Sequence, residues 1–249
     1  MPVSRIQIIK PGSLTIDAFE QPGRSLIAMK YLCGIGGNST VTYVESDAKI
    51  LVDTGFEFEM DHGRDNIAKN KKSLIRSLRE HDLTPHDIDI LFITHWHADH
   101  FMNCEIFSDS EIIMAEPAIN RHRLEFNGVH DGDKIADGVQ VLYTPGHTQD
   151  HASLILSTNA MRYKQRTQQG GRIIGAGENK VVIAGDAIVS PNYYALNKIW
   201  NYNGDFHSES MAKQSVEKIC EIADYIIPGH GGMFKNIRKD GKCLDCDSS

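Results

Sequence analysis

Nothing in this 249-residue chain approaches the roughly 20 consecutive apolar residues that cross a bilayer. The first ten residues, Met1–Lys10, contain no continuous apolar stretch of signal-peptide type. No membrane partner is expected, and a cytoplasmic location is the default. Cysteine is scarce, and its five copies are an odd number, which argues against a disulfide framework. Cys33, Cys104 and Cys220 stand alone and are expected as thiols. Cys243 and Cys246 form a C-x-x-C with no second pair to complete a tetrahedral site. Half a zinc knuckle, a redox pair and a plain tail are all open there. No block of one charge is present, and the net charge is −7. This disfavours a general nucleic-acid binder. There is no internal repeat, no Gly-x-Ser-x-Gly nucleophile elbow and no phosphate loop. In particular, Gly34-Ile35-Gly36-Gly37-Asn38 is followed by neither Lys-Ser/Thr nor a helix.

What remains is a globular chain of ordinary composition with strand and helix patterns in succession. Leu26–Tyr31, Thr40–Glu45 and Lys49–Val52 read as strands joined by Gly-rich turns. Asp65–His81 has Ile67, Leu74, Ile75 and Leu78 at helical spacing, with Lys69, Lys71, Lys72 and Arg79 opposite. Thr84-Pro85-His86-Asp87 predicts a short helical turn with an N-cap and a proline at its first position. Strands follow at Ile88–Thr94, Glu111–Met114 and Val139–Tyr143. Ala152–Ser157 and Lys180–Ala184 pair around a polar insertion, Thr158–Asn179. A second long helix covers Ser208–Ala223, and Tyr225–Ile227 is the last strand. The order predicts an α/β (α+β) protein, a mixed sheet system flanked by helices in a single domain.

The chemistry concentrates in His95-Trp96-His97-Ala98-Asp99-His100, where four metal-competent residues follow a buried strand. Period two lets His95 and His97 project together. After a turn, Asp99 and His100 face a second nearby point, so one loop can serve two metals. Three further strands each end in a Gly followed by such a residue: Gly146-His147, Gly185-Asp186 and Gly229-His230. Glycine allows the tight turn and close approach that a crowded site needs. The set is His95, His97, Asp99, His100, His147, Asp186 and His230. Its N and O donors, with no thiolate, suit two divalent ions, zinc first and iron or manganese as alternatives. The other seven histidines (His62, His81, His86, His122, His130, His151 and His207) read as surface or structural.

These segments, together with Leu51-Val52-Asp53-Thr54-Gly55, resemble the metallo-β-lactamase-fold superfamily in content and order. The resemblance implies a four-layer αββα sandwich with metals at one edge. Its core would run from about residue 26 to 235, with a tail over 236–249. By resemblance His95, His97 and His147 hold one metal, and Asp99, His100 and His230 the other. Asp186 bridges them, and Asp53 orients the histidine loop without ligating. A metal-activated hydroxide would be the nucleophile, with Asp99 orienting it and moving protons. The expected reaction is hydrolysis of a small ester, lactone or thioester.

Within the family, Asp186 stands where B1-type β-lactamases place Cys. Val189 stands where acyl-homoserine lactonases carry a Tyr, although Tyr193 and Tyr194 lie near. The compact layout also resembles the metallo-β-lactamase domain-containing protein 1 group. Two other readings stay open. Persulfide dioxygenases share the Thr94–His100 wording but use one iron and oxygen. A nuclease or phosphodiesterase would use Arg162, Tyr163, Lys164, Arg166 and Arg172 of the insertion against phosphates. Tyr193, Tyr194, Trp200, Tyr202 and Phe206 are expected either to cap the metal site with an apolar wall or to pack the second helix on its sheet. Oligomeric state is left open, a homodimer included.

Overall fold

A computed structural model describes residues 2–14, 37–57, 63–163 and 172–239. The strand expected at Leu26–Tyr31, most of the Gly34–Asn38 turn, Cys33, His62 and the Cys243/Cys246 pair lie outside these residues. The first sheet runs in spatial order through β1 (Arg5–Lys10), β2 (Val41–Glu45), β3 (Lys49–Val52), β4 (Ile90–Phe92), β5 (Glu111–Ala115) and β6 (Asn127–Val129). The second contains β7 (Lys134–Ala136), β8 (Val139–Tyr143), β9 (Ala152–Tyr163), β10 (Arg172–Gly185), β11 (Tyr225–Pro228) and β12 (Phe234–Lys235), also neighbour to neighbour. The helices are α1 (Gly63–Arg79), α2 (Ala98–Phe101), α3 (Glu116–His122), α4 (Pro191–Ala195) and α5 (Glu209–Ile222).

Alternation along the strands dictates the layering. Ile50 and Val52 of β3 face Leu154, Val181 and Ile183 of the other sheet, forming the central core. Leu51 between them points the other way, onto Leu74 and Leu78 of α1. Val182 and Ala184 of β10 likewise turn outward onto Ile219 and Cys220 of α5. Two sheets with a helix outside each give the αββα sandwich that the family resemblance implies. α1 buries Asn66, Asn70, Leu74 and Leu78, one residue per turn, whereas Ile67 is 37% exposed. The predicted stripe therefore shifts at its N-terminal end, where polar residues take over. Asn70 Oδ1 accepts from Glu57 N and its Nδ2 donates to Glu57 O, both at 2.7 Å, which pins the chain leaving β3. The turn at Pro85–Asp87 forms as predicted, with Thr84 N donating to Asp87 Oδ2 at 2.8 Å.

Two elements depart from expectation. The core does not begin near residue 26: Val3, Ile6 and Ile9 are buried, and β1 pairs antiparallel with β2. Ile6, Ile8 and Ile9 suit a strand, but its partner lies over thirty residues away, so no hairpin turn marks it. The segment expected as an insertion is also largely strand. β9 and β10 continue as a hairpin ladder to the Tyr163–Arg172 pair, through register shifts near Ala176. Main-chain hydrogen bonds sustain a ladder beyond the core without apolar side chains, so hydropathy marks only its inner half. The side chains of Arg162, Tyr163, Lys164, Arg166 and Arg172 lie outside what is described.

Candidate metal centre

All the predicted donors emerge at one edge, where β3 and β4 of the first sheet and β10 and β11 of the second end in parallel pairs. Main-chain bonds stitch the sheets together there. Ala152 N donates to Thr94 O at 2.9 Å, and Thr40 N to Gly229 O at 2.7 Å. The loop after β4 enters α2 at His97, whose extended backbone starts the turn. Its far side is clamped: Thr54 N and Oγ1 donate to His100 O at 2.8 and 2.7 Å, and Ser39 Oγ to Asp99 O at 2.8 Å. The clamp includes Asp53, whose φ of 59° is a left-handed conformation that Asp tolerates better than most. Asp53 Oδ1 accepts from Thr94 N at 2.9 Å, and Oδ2 from Thr94 Oγ1 at 2.9 Å and His100 Nδ1 at 2.8 Å. The predicted organising role for Asp53 thus has a direct geometric basis.

These bonds settle which ring nitrogens keep a lone pair. A carboxylate only accepts, so His100 Nδ1 carries a hydrogen and Nε2 is the nitrogen turned toward the other donors. His230 Nδ1 faces the carbonyls of Ser13 and Asn38 at 2.9 and 3.0 Å, which leaves its Nε2 turned the same way. Thr94 Oγ1 gives its proton to Asp53 and so accepts from His95 Nδ1 at 3.1 Å, freeing His95 Nε2. His97 is reversed: its Nε2 donates to Asp205 at 3.0 and 3.2 Å, and Nδ1 is the bare atom. These nitrogens converge with His147 Nε2. His97 Nδ1 lies 2.8 Å from His95 Nε2 and 3.1 Å from His147 Nε2. Asp186 Oδ2 is 3.3 Å from His147 Nε2, while its Oδ1 is 3.3 Å from His230 Nε2 and 3.4 Å from His100 Nε2. Asp99 Oδ2 completes the second group at 3.4 Å from His230 Nε2 and 3.7 Å from His100 Nε2. One carboxylate therefore faces both groups, His95–His97–His147 and Asp99–His100–His230.

The donor set fits two cations on this geometry alone. His95 Nε2 and His97 Nδ1 cannot hydrogen-bond each other when neither carries a proton. Asp99 Oδ1 and Oδ2, His100 Nε2 and His230 Nε2 are buried with no hydrogen-bond partner among the described residues. Buried acceptors crowded in this way are costly unless a cation sits among them. The electrostatics agree. Burial, followed by the neighbouring histidines, pushes the His95 pKa well below its ordinary value, so it is a neutral donor. Burial opposes charge on His100, yet Asp53, Asp99 and Asp186 together raise its pKa well above the ordinary value. Three buried carboxylates demand positive charge at that point.

Glycines make the crowding feasible. A Cβ on Gly229 would stand 2.0 Å from Asp186 Oδ1, and one on Gly146 (φ 140°) 2.3 Å from Ala212 Cα. Two residues near the centre carried no signal of their own in the sequence. Asp205 reaches His97 from a loop 108 residues away. Burial acts to raise its pKa, but the His97 ring and Asn203 outweigh it and hold the carboxyl below the usual range. His151, read as structural, is buried with its ring 4.9 Å from that of His95, and burial lowers its pKa to about 3.

The aromatic segment divides. Tyr194 packs with Ile219 and Cys220 of α5, and its hydroxyl donates to Asn236 Oδ1 at 2.8 Å, so it is not directed at the donor groups. Tyr193 and Trp200 form a separate buried cluster with Val189. The surface cleft beside them, about 280 Å³, is lined by Lys198, Asn201 and Lys213 as well as Tyr193 and Tyr202, and by none of the predicted donors. Among the described residues no helix is long and apolar enough to cross a membrane.

Comparison with known proteins agrees with this geometry. Residues 34–133 match the model of the metallo-β-lactamase superfamily. The chain is 26% identical over 230 residues to metallo-β-lactamase domain-containing protein 1 of Xenopus laevis, covering 84% of this chain and 79% of that one. Its fold is similar to that of a probable metal-dependent hydrolase from Staphylococcus aureus, with a TM-score of 0.64, 14% identity, and 97% and 96% of the two chains covered. It is also similar to an N-acyl homoserine lactone hydrolase with its product bound at the catalytic metal centre. There the TM-score is 0.59, with 18% identity and 98% and 97% covered. Sandwich, strand-end donors and the match over residues 34–133 together make this chain similar to the metallo-β-lactamase superfamily, with two His/Asp groups able to hold a metal.

Proposed function

We propose that the protein is a dinuclear metal hydrolase acting on a small ester, lactone or thioester. The observation that carries this reading is Asp186, whose two oxygens face two separate groups of His and Asp donors. Divalent ions held there would lower the pKa of a water toward neutrality and polarise the bond to be cleaved. The protein's own groups do the rest. Asp53, Thr94, Asp205 and the Ser13 and Asn38 carbonyls hold four ligand rings in the tautomers that ligation needs. Asp99 can orient a water with one oxygen while the other faces His230, and can take the proton released on attack. The buried donors exclude bulk water from the reacting edge.

Zinc is the first choice for N and O donors in buried three-histidine geometry, with iron or manganese as alternatives. The likeness to a lactone hydrolase supports small carbonyl substrates. Tyr194, whose hydroxyl is committed to Asn236, does not supply the tyrosine of the homoserine lactonases, so an ester or thioester stands level with a lactone. A test is metal quantitation on purified protein, joined to a panel of aryl esters, lactones, thioesters and a phosphodiester. Two equivalents of metal, with carbonyl hydrolysis abolished in His97→Ala, are expected. One iron per chain with thiol-dependent oxygen uptake would sink the reading in favour of a dioxygenase, and phosphodiester cleavage alone would move it to a nuclease.

A further inference from the structure

The segment between α4 and α5 is tied to the first donor group by two side chains. Asn203 Nδ2 donates to the carbonyl of His147 at 3.0 Å and to Asp205 Oδ1 at 2.8 Å. Asp205, so held, receives the Nε2 hydrogen of His97 on both oxygens, at 3.0 and 3.2 Å. One amide thus links the backbone of one ligand to the carboxylate that orients another. His97 is nearly buried, with 5% of its side chain exposed, whereas 39% of Asp205 is open. Among the five histidines of the two groups, His97 is also the ring that turns Nδ1 rather than Nε2 toward the other donors. Without an acceptor at Nε2, the Nε2–H and Nδ1–H forms would compete, and the second blocks the donor atom.

We infer that Asp205, anchored by Asn203, is a positioning residue that fixes His97 as an Nδ1 donor and so sets the affinity of the first metal group. This rests on the metal-centre reading above. Outer carboxylates of this kind change metal affinity by about 10–100-fold when removed. They act by holding ring orientation and raising the basicity of the bare nitrogen. Asn at 205 keeps an acceptor for Nε2–H but loses the charge, whereas Ala loses both. The expected order of affinity at the first group is therefore wild type, then Asp205→Asn, then Asp205→Ala. The second group, which Asp205 does not touch, should be unaffected.

The test is zinc titration against a chromogenic chelator on wild type, Asp205→Asn, Asp205→Ala and Asn203→Ala. Thermal melting of each metal-free protein and nitrogen-15 spectra of the histidine rings accompany it. The inference expects one of the two zinc equivalents to weaken about 10–100-fold in Asp205→Ala, with an intermediate loss in Asp205→Asn. The metal-free melting point should stay close to wild type. The His97 ring should change from a pure Nε2–H form to a tautomer mixture. Equal affinity in wild type and Asp205→Ala would overturn it. So would parallel weakening of both equivalents with a lowered melting point, which marks a merely structural role. Wild-type protein that binds no zinc, iron or manganese would overturn both this inference and the hydrolase reading.

Discussion

Gly229→Ala is a one-carbon change whose consequence can be worked out from the structure. The added Cβ would stand 2.0 Å from Asp186 Oδ1 and 2.9 and 3.0 Å from Gly185 C and O. The Gly185 atoms are backbone in a parallel pair with Pro228, so they do not yield easily. The carboxylate must therefore retreat, by about 1.4 Å to reach an ordinary 3.4 Å contact. That oxygen is the one facing His100 and His230, and its partner faces His147. Rotation of Asp186 disturbs both groups at once. A misplacement of about 1 Å costs on the order of 100-fold in rate, equivalent to about 2.7 kcal/mol of barrier. Overpacking adds a stability loss of about 1–3 kcal/mol. The assay is zinc stoichiometry and affinity at each equivalent, with kcat/KM on the best substrate of the carbonyl panel. Gly132→Ala is the control, since its φ of 88° brings backbone strain but its nearest contact is 3.8 Å away. Two tightly bound zinc ions and near-wild-type kcat/KM in Gly229→Ala would refute the bridging role of Asp186.

Further outcomes follow from the same geometry. Asp53→Ala strips His100 of its Nδ1 acceptor, so the second zinc equivalent should weaken about 10–100-fold with the first less affected, as chelator competition would show. His151 is buried with a pKa near 3 against an ordinary 6.5, so the unfolded chain takes its proton first as pH falls. Metal-free protein should therefore lose stability between pH 6.5 and 3 by about 1.4 kcal/mol per unit from this group. His151→Gln should flatten the slope of urea stability against pH, and an unchanged slope would count against a neutral buried ring. Trp200→Ala removes the largest ring of the Val189–Tyr193–Trp200 cluster and should cost about 3–5 kcal/mol, readable as a fall in the urea midpoint. A loss under about 1 kcal/mol would mean that the cluster does not hold this segment.

The candidate donors were legible because His147, Asp186 and His230 each follow a glycine at a strand end, and both features are local. His95 to His100 occupy consecutive positions after an apolar run, so period and spacing were enough. Mixed sheets flanked by helices were legible from the order of strand and helix patterns, whereas the four-layer sandwich came only from the family resemblance. β1 and the outer halves of β9 and β10 were not. Their stability comes from ladders with distant or equally polar partners, which leave little trace in hydropathy. The aromatic segment could not be assigned either, because Tyr194, Trp200 and Tyr202 have similar chemistry but face different surroundings.

By itself, then, the sequence determined the kind of donors, their number and their attachment to strand ends, because those depend on residue identity and short-range order. Only the tertiary structure decided which nitrogen of His95, His97, His100 and His230 turns toward the other donors and which way Asp186 faces. It also decided that Asp205, from a separate loop, orients His97. Those properties are set by hydrogen bonds between residues from about 40 to over 200 positions apart. Such contacts exist only once the two sheets have closed on one another.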